Sequence, residues 1–217
     1  MMDRRVFCAV IGVFLASAIL GGCQTTYYAV WEKLGKEKRH LLRDNVAAAS
    51  KEQKEASETF KDVLTRMKEM YGFQGGDLEE VYENLRADYE ESEERANAVH
   101  KRVAMVEQIA ADLFREWQGE INEMKSQKLK SQSAQSLREA KRQYAKLHDT
   151  MIKAESRMDP VLAQLKDNVL YLKHNLNAQS IGALKKEAGN IQIEIDRLIK
   201  DMQASIAEAD TFLKTFK

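Results

Sequence analysis

Residues 78–117 read LEEVYENLRADYEESEERANAVHKRVAMVEQIAADLFREW. Alternate steps of four and three pick out Leu78, Tyr82, Leu85, Tyr89, Ser92, Ala96, Val99, Val103, Val106, Ala110, Leu113 and Trp117. In that series only Ser92 is neither apolar nor aromatic. A 4-3 repeat held this long is the seam of a coiled-coil or bundle helix, and its period excludes a strand.

The same spacing continues in the C-terminal half. Leu184, Ala188, Ile191, Ile195, Leu198 and Met202 form one run, then Ile206, Ala209, Leu213 and Phe216 continue out of phase. The two successive steps of four read as a stutter. Between these regions lie Leu137, Ala140, Tyr144, Leu147, Met151, Ala154 and Met158, followed by Leu162, Leu165, Val169, Leu172 and Leu176, with a phase shift near Pro160. Asp159-Pro160 reads either as an N-cap and N1 pair or as a kink in a continuing helix. The kink is favoured, because no loop-forming residues surround it. The first segment is less regular, with Leu34, Leu41, Ala48, Ala56, Phe60, Val63, Met67 and Met70 as its seam and a weak, alanine-rich middle.

Turn chemistry falls at residues 72–76 (GFQGG), with Asp77 as the following N-cap, and at 175–182. Residues 125–136 (KSQKLKSQSAQS) lose the seam without Gly or Pro, which suits either a loop or a polar stretch of helix. The reading is all-α: an elongated antiparallel helical bundle or coiled coil of about four long helices, near 27–71, 77–124, 129–175 and 181–216. Its rival is a pair of long hairpins that complete their core by dimerising. Ten glycines and one proline in 217 residues supply too few reversals for a sandwich, barrel or doubly wound sheet. Lys plus Arg and Asp plus Glu both number 34, so the basic excess of a nucleic-acid binder is missing and no nucleic-acid partner is expected.

The N-terminus carries an address. Arg4 and Arg5 precede an apolar run from Val6 to Leu20, which ends in Leu20-Gly21-Gly22-Cys23. That is the layout of a secretory signal peptide, and the run is short for a membrane span. Leu-Gly-Gly-Cys resembles the bacterial lipobox, which implies cleavage between Gly22 and Cys23 and acylation of Cys23. An uncleaved anchor and ordinary cleavage to a free thiol are the alternatives. On the lipobox reading, residues 1–22 are the signal peptide and 23–217 a single domain held to membrane lipid through Cys23. Each buried CH₂ contributes roughly 0.8 kcal/mol, enough for several acyl chains to anchor the chain without a spanning helix. Cys8 leaves with the signal and Cys23 is consumed by lipid, so disulfide, thiol-metal and cysteine-nucleophile chemistry are not expected. By resemblance to sorted lipoproteins, Gln24 after the cysteine points to the outer membrane, facing the periplasm.

Tyr27, Tyr28, Trp31, Lys33, Lys36 and Arg39 follow the anchor closely and are candidates for contact with the headgroup region. Tyr27 and Trp31 could equally cap the bundle core. Asp77, Glu79, Glu80 and Glu83 begin an acid-rich stretch at the opposite end, a candidate partner surface. Lys61, Arg66, Lys68, Lys173, Lys185 and Lys186 would lie nearby and could instead neutralise it. Met67, Met70, Met151, Met158 and Met202 fall at seam spacing and are expected in the core.

No catalytic constellation emerges. None of His40, His100, His148 and His174 has a second histidine three or four residues away, and Glu37 before His40 is an isolated half of a di-iron motif. Phosphate loops and nucleophile elbows are absent from the sequence. Neither an enzyme nor a cofactor or metal site is expected.

The stretches YYAVWEKLGKEKRHLLRDNV (27–46), DNVLYLKHNLNAQSIGALKKE (167–187) and RLIKDMQASIAEADTFLK (197–214) together resemble an uncharacterised family of proteobacterial coiled-coil lipoproteins, domain of unknown function twenty-nine fifty-nine. The resemblance spans nearly the whole chain after the signal and implies a helical envelope protein, with no catalytic residues to carry over. The expected role is a lipid-anchored periplasmic scaffold or adaptor with an envelope-protein partner. The alternative is a lipid-binding or membrane-surface module whose bundle opens to take acyl chains. Homo-oligomerisation is compatible with either, because a seam specifies burial but not against which chain.

Overall fold

The computed structural model describes residues 37–72 and 78–216, apart from the side chains of Ala178, Glu187 and Ala188. Gly22, Cys23, Tyr27, Tyr28, Trp31, Lys33, Lys36 and Asp77 lie outside the described residues, as does the expected helix start near residue 27. Five helices account for nearly everything described: α1 Lys38–Tyr71, α2 Leu78–Glu123, α3 Gln127–Glu155, α4 Met158–His174 and α5 Ala178–Thr215. The chain divides into two units at Leu41/Leu42, and the packing below is that of residues 42–216. None of the described helices is long and apolar enough to cross a membrane.

Cross-helix contacts fix an antiparallel order. Glu55 pairs with Arg95 at 2.6 Å and Arg66 with Asp88 at 2.5 Å, so α1 and α2 run in opposite directions. Trp117 Nε1 donates to Ser133 Oγ at 2.9 Å while His148 meets Glu107 at 2.6 Å, which folds α3 back along α2. Lys153 reaches Asp201 at 2.8 Å and Thr215 Oγ1 donates to Gln143 at 3.4 Å, setting α5 antiparallel to α3. The result is an up-down-up-down bundle whose third column is α3 followed by α4.

Seam residues fill the middle of this bundle. Phe60, Met67, Ile109, Leu147, Leu165 and Phe212 are almost wholly enclosed, each contributing roughly 1.5–3 kcal/mol relative to exposure. The five seam methionines are all buried, as their spacing predicts. The α2 seam holds at Leu85 and from Ser92 to Leu113; between them Asp88 is buried in place of the half-buried Tyr89, and Leu78, Tyr82 and Trp117 at the ends are also half-buried.

Elsewhere the seam departs from its sequence reading, each time because a polar or small residue takes a core position. In α1 the buried series is Leu42, Val46, Ala49, Gln53, Ala56, Phe60, Val63, Met67 and Met70, an unbroken 4-3 repeat. Ala48 is only half-buried, so the expected Leu41–Ala48 step does not continue the seam into the middle of α1. In α5 no stutter occurs: Met202 is followed by Ser205, Ala209, Phe212 and Phe216, all buried and in phase, while Ile206 and Leu213 are half-buried. Hydropathy favoured Ile206 over Ser205; packing favours the residue in register.

The third column is two helices rather than one continuous helix over 129–175. Pro160 has no N–H for the Ser156 carbonyl, and its ring would crowd that oxygen. Accordingly α3 ends at Glu155, Ser156 N donates to Ile152 O at 2.9 Å, Arg157 N tightens onto Ala154 O at 3.3 Å, and α4 starts at Met158. Arg157 is the N-cap residue, so the Asp159-Pro160 cap pair is not formed. The change of column direction needs no loop, in keeping with a kink. Val161 takes the core position expected of Leu162, which is half-buried, and Leu176 is exposed.

The turns are shorter than expected. Only residues 124–126 interrupt the helices in the 125–136 region, and Ser126 Oγ caps α3 by accepting from Leu129 N at 3.4 Å. At 175–182 only 175–177 are non-helical, because Asn177 Oδ1 accepts from Ser180 N at 3.0 Å and starts α5 early. Gly182 therefore lies inside a helix.

Ion pairs clamp the α3–α4 break on two sides. From α2, His100 Nδ1 meets Glu155 Oε1 at 2.6 Å and Nε2 meets Asp159 Oδ1 at 3.3 Å, so one imidazole spans the last residue of α3 and the second of α4. From α5, Asp201 accepts from Lys153 and Arg157, and Glu194 lies 3.7 Å from Arg157. Burial lowers the His100 pKa, but hydrogen bonds and charge from Glu155 and Asp159 outweigh it and leave it raised. Burial raises that of Asp201, and its two cationic partners outweigh this to hold it below the usual carboxylate value.

Two predictions follow from the core and the clamp. Gln53 is fully buried at a seam position with neither amide atom hydrogen-bonded, so Gln53→Leu should stabilise the protein by about 1–3 kcal/mol in urea unfolding with an unchanged slope. A raised His100 pKa gives stabilisation that is full below the unfolded value of 6.5 and is lost as pH rises through the folded one. The Tm deficit of His100→Gln should therefore be largest near about pH 5.5 and shrink by about pH 8.5.

Candidate functional site

The antiparallel order brings the α1–α2 and α4–α5 connections to the same end of the bundle, here called the hairpin end. Both the acid-rich start of α2 and the family-like phrase around residues 167–187 lie there. The two hairpins present different chemistry.

The α1–α2 hairpin is acidic but internally tied. Glu79, Glu80 and Glu83 are exposed on the first two turns of α2, where acidic groups also favour the helix N-terminus. Glu83 pairs with Arg86 at 2.5 Å and Glu91 accepts from Thr59 at 3.4 Å. Asp88 is 3% exposed; its Oδ1 meets Arg66, and its Oδ2 is enclosed without a hydrogen-bond partner. Burial raises the Asp88 pKa, Arg66 opposes that, and Glu91 and Asp62 add to the rise. A pocket of about 240 Å³ opens beside this pair, between Arg66 and Met70 of α1 and Val81 and Leu85 of α2. At the end of α1, burial pushes the Tyr71 hydroxyl up to about 12, and it has no hydrogen-bond partner among the described residues.

The α4–α5 hairpin is apolar and basic. A groove of about 680 Å³ runs between the helices, lined by Asp167, Asn168 and Tyr171 of α4 and by Gln179, Gly182 and Lys186 of α5. Leu170, Tyr171, Leu176 and Ile193, on α4, α5 and the turn between them, are 39–50% exposed, four of the seven large hydrophobic side chains exposed among the described residues; of the four, Tyr171 lines the groove. Lys173, Lys185 and Lys186 are exposed, and among the described residues they make no ion pair.

Of the expected neutralisation of the acidic stretch, Arg66 alone of the six cations makes an ion pair among the described residues, with Asp88. Lys173, Lys185 and Lys186 belong to the other hairpin and leave the end divided into an acidic and a basic face. Arg39, the described member of the expected membrane-proximal group, is half-buried on α1 within the first unit and is engaged in an interaction. Sequence reading missed Tyr171, Gly182 and Ile193. Leu170, Tyr171 and Ile193 are apolar positions off the seam, a signal available in the sequence, but 175–182 was assigned to a turn and the groove needs Gly182 on a helix.

Among the described residues, no group of three or more His, Cys, Asp or Glu side chains is placed to hold a metal ion. What the described hairpins present to solvent is apolar area and charge.

The chain belongs to the family described as protein of unknown function (DUF2959), whose profile matches residues 27–216. No curated protein matches the chain, and no solved structure does. The family match covers every described helix and both hairpins.

Removing Arg66 would leave Asp88 as a buried, uncompensated carboxylate. Because the Arg66 side chain is 51% exposed, the expected loss for Arg66→Met is about 1–3 kcal/mol rather than the full penalty of breaking a buried pair. A raised carboxylate pKa makes ionised Asp88 a burden that protonation relieves, so the Tm deficit of the variant should shrink as pH falls toward about 4.

Proposed function

We propose that this member of the DUF2959 family is a lipid-anchored, non-catalytic scaffold or adaptor of the bacterial envelope, whose hairpin end engages another envelope protein. The observation that carries the reading is the concentration of exposed apolar side chains on the α4–α5 hairpin of a bundle that otherwise turns its apolar seam inward. Exposed apolar side chains gathered on one part of a surface are characteristic of interaction sites.

Anchoring rests on the sequence of residues 1–23, with Leu20-Gly21-Gly22-Cys23 as lipobox, cleavage after Gly22, and Cys23 as the acylated residue. Gln24 favours the outer membrane, with the bundle in the periplasm. Tyr27, Tyr28, Trp31, Lys33, Lys36 and Arg39 would then sit beside the headgroups. This assigns membrane contact to one end of the sequence and partner contact to the hairpins.

The α4–α5 groove also favours a second reading, in which the module binds acyl chains. The scaffold reading is preferred because the groove is open along its length, whereas an acyl site encloses most of its ligand.

Cys23→Ser should abolish metabolic labelling by palmitate and move the protein from the membrane to the soluble fraction; unchanged membrane retention would overturn the anchor. In intact cells, lysine crosslinking of the native protein should yield one reproducible foreign protein joined through Lys173, Lys185 or Lys186. Links confined to this chain, with lipid co-purifying with the acyl-free domain, would favour the lipid reading instead.

A further inference from the structure

We infer that the pocket between α1 and α2 is a binding site for a primary alkylammonium group, its N–H donors taken by Asp88, Glu69 and Asn84 and its methylenes lying on Met70, Val81 and Leu85. The inference is independent of the adaptor reading, since it uses no part of the α4–α5 hairpin.

The site is built on two helices rather than on a turn. On α2, Val81, Leu85 and Asp88 fall at steps of four and three; on α1, Arg66 precedes Glu69 and Met70 by three and four, so each set shares one face. Between them lies a volume of about 240 Å³. Pockets for drug-sized ligands run to ~300–1,000 Å³, so this smaller one suits a short aliphatic chain with one polar head. Met70 and Leu85 are buried and Val81 is half-buried, which supplies an apolar wall, whereas Glu69 and Asn84 are exposed.

Asp88 marks the polar end of the pocket. It is 3% exposed and lines the cavity; one carboxylate oxygen meets Arg66, while Oδ2 is enclosed with no hydrogen-bond partner. An enclosed carboxylate oxygen left unpaired is unfavourable, and a donor carried in by a ligand removes that penalty. Glu69 and Asn84 bring further acceptor oxygens to the same pocket, and among the described residues neither side chain makes a hydrogen bond or ion pair.

Charge and donor count select the ligand. Against the single cation Arg66 the pocket sets Asp88 and Glu69, and Asp62 and Glu91 add to the negative charge acting on Asp88. The surplus favours a cation and repels an anion. A primary ammonium offers three N–H donors to the three side chains that accept, whereas a quaternary ammonium offers none. A divalent metal ion matches less well, because it prefers a shell of oxygen ligands and the pocket gives it an apolar wall with two carboxylates.

The test titrates the purified full-length protein in detergent with n-butylammonium chloride, against tetramethylammonium chloride at the same ionic strength, and reads the thermal midpoint. The expected result is a saturable rise with n-butylammonium and none with tetramethylammonium. Asp88→Asn should weaken half-saturation about tenfold, as the loss of a charged acceptor implies. Glu69→Gln and Asn84→Leu change exposed positions and should leave the midpoint of the free protein unchanged while each weakens half-saturation about threefold; they decide the matter if Asp88→Asn does not fold. Nα-acetyl-lysine methylamide carries the same four methylenes and ammonium: a rise matching that of n-butylammonium identifies a lysine side chain as the ligand, no rise identifies a free amine, and either supports the site. Equal effects of the two ammonium salts, a rise that never saturates, or binding indifferent to the substitutions would overturn the inference. Each of those results would leave the adaptor reading standing, since that reading is decided by crosslinks from the α4–α5 lysines.

Discussion

Every described helix is positioned by the need to bury one apolar seam against three others. The seam is a 4-3 series on α1, α2 and α5, and on the third column it must continue across a break in the backbone. Isolated helices of this polarity would gain little from propensity, and tertiary burial supplies most of their stability. The antiparallel order, the ends at which the hairpins fall and the faces left to solvent are all consequences of closing those seams together. Pro160 tests the constraint directly: it stops α3 at Glu155, yet Ala154, Met158 and Val161 remain buried across the interruption. The clamp of His100, Glu155 and Asp159 on one side and Lys153, Arg157 and Asp201 on the other holds the two helices in the alignment that makes this continuity work.

Small and polar residues mark where that closure is least favourable. Gln53 and Ser57 of α1 and Ser205 of α5 are buried with side-chain atoms lacking hydrogen-bond partners, and Ala49, Ala56 and Ala209 flank them in the seams. Such positions bury less apolar area and carry uncompensated polar atoms, so the middle of α1 is held less tightly than α2 or α3. The alanine-rich weakness legible in the sequence thus has a structural counterpart, although the residues responsible are not those that hydropathy selected.

The hairpin end differs from the rest because each of its two faces resolves its charge differently. On the α1–α2 side, acids find partners within the chain, down to the enclosed Asp88 beside Arg66. On the α4–α5 side, lysines and apolar side chains point outward together. A surface that joins apolar area to charge with no ion pair among the described residues carries free energy that a complementary partner can recover, which is why this hairpin supports the adaptor reading better than the acidic tip at the start of α2.

Hydrophobic period alone determined the all-helical class, the seam of α2 from Ser92 to Leu113, the buried methionines and the approximate number of columns. Period survives because a residue three or four steps along a helix returns to the same face whatever the helix packs against. Glycine and asparagine likewise located the reversals near 72 and 175. Tertiary structure decided what one-dimensional hydropathy cannot rank. It kept Ser205 in the core over Ile206 and placed Gln53 in register, because a rigid helix cannot rotate one residue outward without moving its neighbours. It broke the third column two residues before Asp159-Pro160, where the missing N–H is felt at the preceding turn. It also extended α5 back through Gly182, since the Asn177 cap stabilises a start that glycine propensity opposed. The site followed the same division: its acids and lysines were plain in the sequence, but which faced a partner in the chain and which faced solvent depended on the register at which the hairpins closed.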